Sequence, residues 1–183
     1  VWIRGLLDQS QPRLAEFKAQ RASKTAVLVG NGPSLKQTDL SLLAGHDVYV
    51  SNYAIQHPEL APIAKGVAVT NYFVAEQAPE AFANLPQWRV LSVGLSHVLQ
   101  DDPRTLWLNA LGGPLFFSKL PASHIAWHAT VSFFWMQLLL SVGYEKLLLI
   151  GFDNRYEQSK SMTEGMLIQQ TEDDPNHFDP AYF

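Results

Sequence analysis

The chain of 183 residues predicts an α/β fold, a doubly wound, mostly parallel sheet with helices on both faces. Three observations predict it. The apolar runs "TAVLV", "DVYVS", "GVAVT", "WRVLSVG" and "YEKLLLI" lack polar alternation, as strands buried on both faces do. Segments with helix start and stop signals separate most of them. Polar residues gather where the runs end: Gly30-Asn31-Gly32, Ser51-Asn52, Thr70-Asn71 and Gly151-Phe152-Asp153. In a parallel sheet those ends share one edge, the edge where ligands bind.

In order along the chain, Ser10 to Ala22 reads as an amphipathic helix with Leu14 and Phe17 as anchors. "TAVLVG" is the first strand. "TDLSLLAG" reads as a short helix, with Thr38 and Asp39 as caps and Gly45 as its stop. "DVYVSN" and "GVAVTN" are the second and third strands, "PEAFANL" a helix and "WRVLSVG" a fourth strand. From Ser96 to Ser123, Gly112, Gly113, Pro114 and Pro121 predict irregular structure with short extended pieces. "ATVSFFWMQLLLSVG" is apolar on nearly all sides and reads as a helix buried between layers. "YEKLLLIGFD" is the last strand of this Rossmann-like arrangement. One domain over residues 1–183 is expected, with 1–23 a helical extension and 154–183 a loop or lid. The start at Val1 and the stop at Phe183 suggest a piece of a longer chain.

A hydrophobic share of 47% and a charged share of 16% are those of a globular protein. The net charge of −4 argues against a nucleic-acid partner, which needs a basic face. The absence of cysteine removes disulfides and thiolate metal sites. The longest apolar run, Val131 to Val142, is too short to cross a bilayer, and no signal segment opens the chain. A cytoplasmic protein without a transmembrane segment is expected. Peripheral contact with the inner membrane and a homo-oligomer both stay open.

In the first strand end, Gly30 and Gly32 permit positive φ and close approach of a ligand. Pro33 suits a first helical position, so the amides of Ser34 and Leu35, with the Ser34 hydroxyl, are expected to face an anion. The loop is no dinucleotide fingerprint, because Leu35 stands where the third glycine belongs. It is no P-loop either, since no Gly-Lys-Ser/Thr follows. Asn31, Asn52 and Asn71 offer donor and acceptor without charge, which suits a ribose, a base edge or a sugar. Each alone reads equally well as a turn former. Among the histidines, His177 stands out in "PNHFDP", where two prolines restrict the backbone and Asp174 or Asp179 can orient the ring. His128 precedes the apolar helix and reads as a capping or packing residue, and His46, His57, His97 and His124 as structural. Glu172, Asp173 and Asp174 with His177 have hard-metal chemistry but read more simply as solvated loop acids. No metal site and no required cofactor are expected.

"VGNGPSL", "DVYVSN", "VTNYFVAEQ", "ATVSFFWMQLLLSVGYEKLLLIGFD" and "DDPNHFDPAYF", in that order, resemble the bacterial sialyltransferases of the Campylobacter type and the related MptE-like proteins. The resemblance covers residues 26–183. It implies CMP or a CMP-sugar as donor ligand, a glycan acceptor and no metal. By motif, Asn31 would meet the donor's phosphate region, Asn52 and Asn71 the cytidine, ribose or sugar, and Gly30, Gly32, Ser34 and Asp153 the same nucleotide. His177 would be the general base, with an imidazole suited to that task near neutral pH. The family's Thr-Ser-Gly at the helix start is Thr130-Val131-Ser132 here, and its two tyrosines after the strand's aspartate become Arg155-Tyr156 and Ser161-Met162. Arg155 and Tyr156 would then attend the leaving phosphate. The MptE-like relatives imply an alternative, a 6-hydroxymethylpterin diphosphokinase using ATP and Mg. A non-catalytic nucleotide-binding module is the third reading.

Overall fold

The computed structural model describes residues 2–112, 116–127, 130–154 and 176–178, and by backbone alone 161–164 and 167–170. Six parallel strands form the sheet: β1 (Thr25–Val29), β2 (Asp47–Ser51), β3 (Ala64–Val69), β4 (Trp88–Ser92), β5 (Thr105–Leu108) and, after two short pieces, β8 (Lys146–Ile150). Their order is β5-β4-β3-β2-β1-β8, which is Rossmann-like in its single reversal. The short pieces β6 (Ala110–Leu111) and β7 (Ile125–Ala126) pair with each other, and β9 (Ser161–Glu164) forms a hairpin with β10 (Leu167–Gln170).

Chirality explains the layers. From β1 to β5 the chain steps steadily one way, so right-handed crossovers put every connection on one face. Leu35, Ile55, Phe82 and Leu95 from those connections pack with Val27, Val50 and Val67. The return from β5 past β1 to β8 must use the other face. There α3 (Val131–Ser141) packs Phe134, Trp135 and Leu138 on Leu28, Tyr49 and Val90. Alternate residues of each strand thus feed two cores, which is why the strands show no polar alternation.

The helices differ from expectation. α1 runs Trp2–Ala19 rather than from Ser10, because it covers the edge strand β5. Ser10 Oγ accepts from the Trp107 amide at 2.7 Å, and Arg13 donates to the Thr105 carbonyl at 3.0 Å while paired with Asp101. These bonds occupy backbone groups that an open edge would expose. The first face carries α2 (Tyr72–Gln77) and 3-10 turns, among them Pro33–Gln37, Leu40–Leu43, Asn52–Gln56 and Pro79–Phe82; helices were expected at the second and fourth of these. Their connections are short, and Pro33 and Pro79 each open one. β5 lies inside the stretch predicted to be irregular. α3 is not enclosed between layers among the described residues, for its Leu140 is exposed. Beyond it, edge strand β8 leaves Leu148 and Leu149 45% and 46% exposed. No described helix is long and apolar enough to cross a membrane.

Buried polar groups hold the sheet's amino edge. Asp47 Oδ2 accepts from the Ala22 and Ser23 amides and from Tyr144, whose hydroxyl also meets that of Tyr49 at 2.8 Å. Lys65 pairs with the other carboxylate oxygen. Burial alone would raise the Asp47 pKa, but the bonds from Lys65, Ala22 and Tyr144 outweigh it and hold it below the ordinary value. Burial pushes the hydroxyls of Tyr49 and Tyr144 well up.

Candidate functional site

The strand order reverses between β1 and β8, and a cleft of about 620 Å³ opens beyond their carboxyl ends. Asn31 and Gly32 from the end of β1, Asn52 from β2, Thr70 and Asn71 from β3 and Gly151 to Asn154 from β8 line it. Thr130, Val131 and Ser132 close it from the start of α3, and Asn176 and His177 from the tail. A smaller hollow of about 290 Å³ surrounds Arg89 near the opposite edge. Arg89 there donates to the Phe82 and Gln100 carbonyls and to Thr105 and pairs with Asp102, so it serves the fold.

The glycine loop does not cradle an anion as expected. Gly30 N donates to the Ile150 carbonyl at 2.8 Å, and Gly32 N to that of Gly151 at 2.9 Å. Ser34 N donates to Asp153 Oδ2 at 3.1 Å and Leu35 N to the Gly32 carbonyl. The end of β8 has taken the amides, with the Asp153 carboxylate where a ligand anion was expected. Neither Gly30 nor Gly32 has positive φ, and Gly32 is extended at φ −72 and ψ 155. Their missing side chains make room instead. A Cβ on Gly30 would lie 2.4 Å from the Gly151 oxygen, and one on Gly32 would lie 1.9 Å from Asp153 Oδ2. Gly30 and Ser34 do not line the cleft; Gly32 and Asp153 do.

Two other nominated residues also work for the fold. Asn71 caps α2, its Oδ1 accepting from Phe73 N at 3.0 Å. Thr130 caps α3, its hydroxyl accepting from Phe133 N at 3.1 Å. Both are favoured N-cap types. Asn52 is held at φ 50, as is Asn154 at φ 51, with Gly151 between them in the cleft wall at φ 70. Left-handed asparagines are tolerated because the short amide can bond locally. A third, Asn84 at φ 54, lies in the hollow around Arg89, so left-handed asparagine is not confined to this edge.

The tail reaches this edge. Phe178 N donates to the Asn31 carbonyl at 2.8 Å, and the Phe178 ring meets the His57 ring edge-on at 5.1 Å. Phe178 also packs against the core of the first face. That anchor sets Asn176 and His177 over the ends of β1 and β2. His57, expected to be structural, contributes by packing Phe178.

Arg155, Tyr156, His128, Asp179 and the acids Glu172, Asp173 and Asp174 lie outside the described residues. Among the described lining residues there is one carboxylate, Asp153, and no lysine or arginine. No three described His, Asp or Glu residues stand close enough to share a metal ion.

Sequence reasoning did not nominate Tyr72, Phe73 and Trp127, three rings in the cleft wall. The signal was present in "TNYF", aromatic residues directly after a polar strand end. It also missed Gln137, fully buried on α3, whose side chain bonds the Ser118 and Ala126 amides and the Ala126 and Phe133 carbonyls. These bonds fasten β7, and with it the approach to Trp127 and α3, to the second face. Set against family models, curated proteins and solved structures, the chain matches none of them.

Proposed function

We propose that this cleft binds a nucleotide sugar, a CMP-sugar in the first instance, and that the chain transfers the sugar to a glycan acceptor. The convergence of Asn31, Asn52 and Asn71 from three adjacent strands at a switch-point cleft carries this reading. Uncharged amides with donor and acceptor capacity match the hydroxyl-rich surface of a nucleoside and a sugar. The α3 start lines the same cleft with no acidic residue in its first turn, so its partial positive charge is available to a phosphate. The motif resemblance adds the donor class.

In this reading a ring nitrogen of His177 takes the proton from an acceptor hydroxyl as that oxygen bonds the anomeric carbon. The bond from that carbon to the phosphate oxygen breaks, and CMP leaves with the electron pair. Arg155 and Tyr156 attend the leaving phosphate, and no metal or resident cofactor takes part. The amide geometry around Gly32 gives no cradle for a chain of phosphates, which weighs against the pterin diphosphokinase alternative with ATP and Mg.

Calorimetry with CMP, CDP, UDP, GDP, ATP and a hydroxymethylpterin, with and without Mg, tests the reading. Binding of CMP that survives EDTA is expected. Binding restricted to ATP and pterin with Mg would overturn it. With the donor in hand, His177→Ala should lower turnover by roughly 10²-fold or more at unchanged CMP affinity. Unchanged turnover would remove His177 from the chemistry.

A further inference from the structure

Three aromatic side chains stand in the cleft wall with much of their surface exposed: Tyr72 at 45%, Phe73 at 44% and Trp127 at 39%. Among the described residues, the two cores are filled without these rings, and three half-open rings share one depression. They also come from opposite sides of the sheet. Phe73 and Tyr72 begin α2, whose Val74 and Ala75 pack in the core of the first face. Trp127 directly follows β7, whose Ile125 packs with α3 in the core of the second. Tyr72 and Phe73 thus stand at the β3 end of the cleft, and Trp127 lines the same cleft from the other face of the sheet.

Both walls are held in place. The Asn71 cap fixes the turn that presents Tyr72 and Phe73, and their rings support each other at a centroid distance of 4.1 Å. Gln137 ties the backbone at Ala126, next to Trp127, through bonds to both its amide and its carbonyl. Adjacent strands lie about 4.8 Å apart, so the β3 end is roughly 10 Å from the β1 end, where His177 sits. That is about the span of a nucleotide from its base to its phosphate.

We propose that Phe73 and Trp127 clamp the base of the bound nucleotide, with the sugar-phosphate directed along the edge toward Asn31 and His177. The clamp rests on the nucleotide-binding reading above and adds the ligand's orientation. Stacking accepts any flat base, because every base has a π-face. Discrimination between bases then falls to Asn71 and Thr70 at the same end. The cap commits the Asn71 carbonyl oxygen to Phe73 N, so its NH2 group is the part left to meet a base carbonyl.

The test uses CMP as ligand with Phe73→Ala, Trp127→Ala and Trp127→Phe, each checked for native circular dichroism. The alanine variants should each raise the Kd for CMP about tenfold, while Trp127→Phe, which keeps a ring, stays within about threefold of wild type. CMP should quench tryptophan emission of the wild type and leave that of Trp127→Phe largely unquenched despite binding, because the stacked indole has been removed. Equal CMP affinity in wild type and both alanine variants would overturn the clamp and leave the nucleotide reading intact. Failure of the wild type to bind CMP or any other nucleotide would overturn both. Should the alanine variants misfold, quenching that persists unchanged in Trp127→Phe overturns the clamp by itself.

Discussion

Replacing Gly32 with alanine tests whether the glycine loop holds a ligand or the neighbouring strand. The backbone at φ −72 and ψ 155 accepts any residue, so the substitution itself brings no conformational strain. The added Cβ, however, would meet Asp153 Oδ2 at 1.9 Å and the Gly151 carbonyl oxygen at 2.7 Å. The carboxylate can rotate away only by releasing Ser34 N, a charge-assisted bond worth about 1.5–3 kcal/mol. The Gly151 oxygen is backbone, and shifting it stretches its bond from Gly32 N, at about 1 kcal/mol. Against these, alanine restricts the unfolded chain and returns about 0.4–1 kcal/mol. The net loss is about 2–3 kcal/mol, which lowers Tm by roughly 5–10 °C in a chain of this size. Urea titration of Gly32→Ala, Asp153→Ala and the double variant gives the decisive number. Removing the carboxylate relieves the closest clash, so the two losses should fall short of additivity by about 1 kcal/mol or more. A stable Gly32→Ala, or strict additivity with Asp153→Ala, would refute the pairing of the loop with the end of β8.

Three other substitutions probe the supports of the sheet and of the cleft. Asp47→Asn should reduce stability at pH 7 by about 3 kcal/mol, because it leaves Lys65 and the tyrosine pair without their carboxylate. Since the folded pKa of Asp47 lies below the unfolded one near 3.9, its contribution is complete above that value and is lost as pH falls through the folded pKa. Urea curves from pH 7 down to pH 3 should therefore show a flatter acid limb in Asp47→Asn than in wild type. Gln137→Leu strands the Ser118 and Ala126 amides, at about 1–3 kcal/mol each, and hydrogen exchange at both should speed up beyond the global change. Phe178→Ala removes the tail's anchor on the core and on His57. It should expose the Phe178 position's amide to exchange while lowering global stability by only about 1–2 kcal/mol, since the ring is partly buried.

Five of the six sheet strands were legible because a parallel sheet covered on both faces needs apolar side chains, and "VLV", "VYV" and "LLLI" show it directly; β5 fell in the stretch expected to be irregular. Helix lengths were less so. Whether Leu40 to Leu43 become a helix or a 3-10 turn depends on how far the chain must travel from β1 to β2, which is a tertiary distance. α1 begins at Trp2 because β5 needs a cover, a relation between segments far apart in the chain. Gly30 and Gly32 were singled out for positive φ and for close approach of a ligand; neither has positive φ, and what approaches is the end of β8. Only the pairing of β1 with β8 shows that Gly151 and Asp153 fill the space. Strand-end asparagines share an edge by topology alone, whereas Trp127 and Phe73 were not singled out, since a sequence does not print exposure.

Several polar groups at this edge serve the fold before any ligand, which decides how they must be tested. Asn71→Ala would remove a possible ligand contact and the cap of α2 together, and Thr130→Ala would do the same at α3. A fall in affinity would then have two explanations, since loss of a cap alone is worth about 0.5–2 kcal/mol and displaces the residues that follow it. Cap-preserving substitutions separate the two. Asp at position 71 still accepts from Phe73 N while lacking the NH2 group, and Ser at position 130 still accepts from Phe133 N while lacking the methyl. Asn71→Asp should therefore keep the wild-type Tm within about 2 °C, a stability change of about 0.5 kcal/mol, yet weaken CMP binding by about tenfold, or about 1.4 kcal/mol, through the lost donor and the added charge. Thr130→Ser should keep both. If Asn71→Asp binds CMP as well as wild type does, Asn71 is a cap and nothing more, and base discrimination must be sought at Thr70.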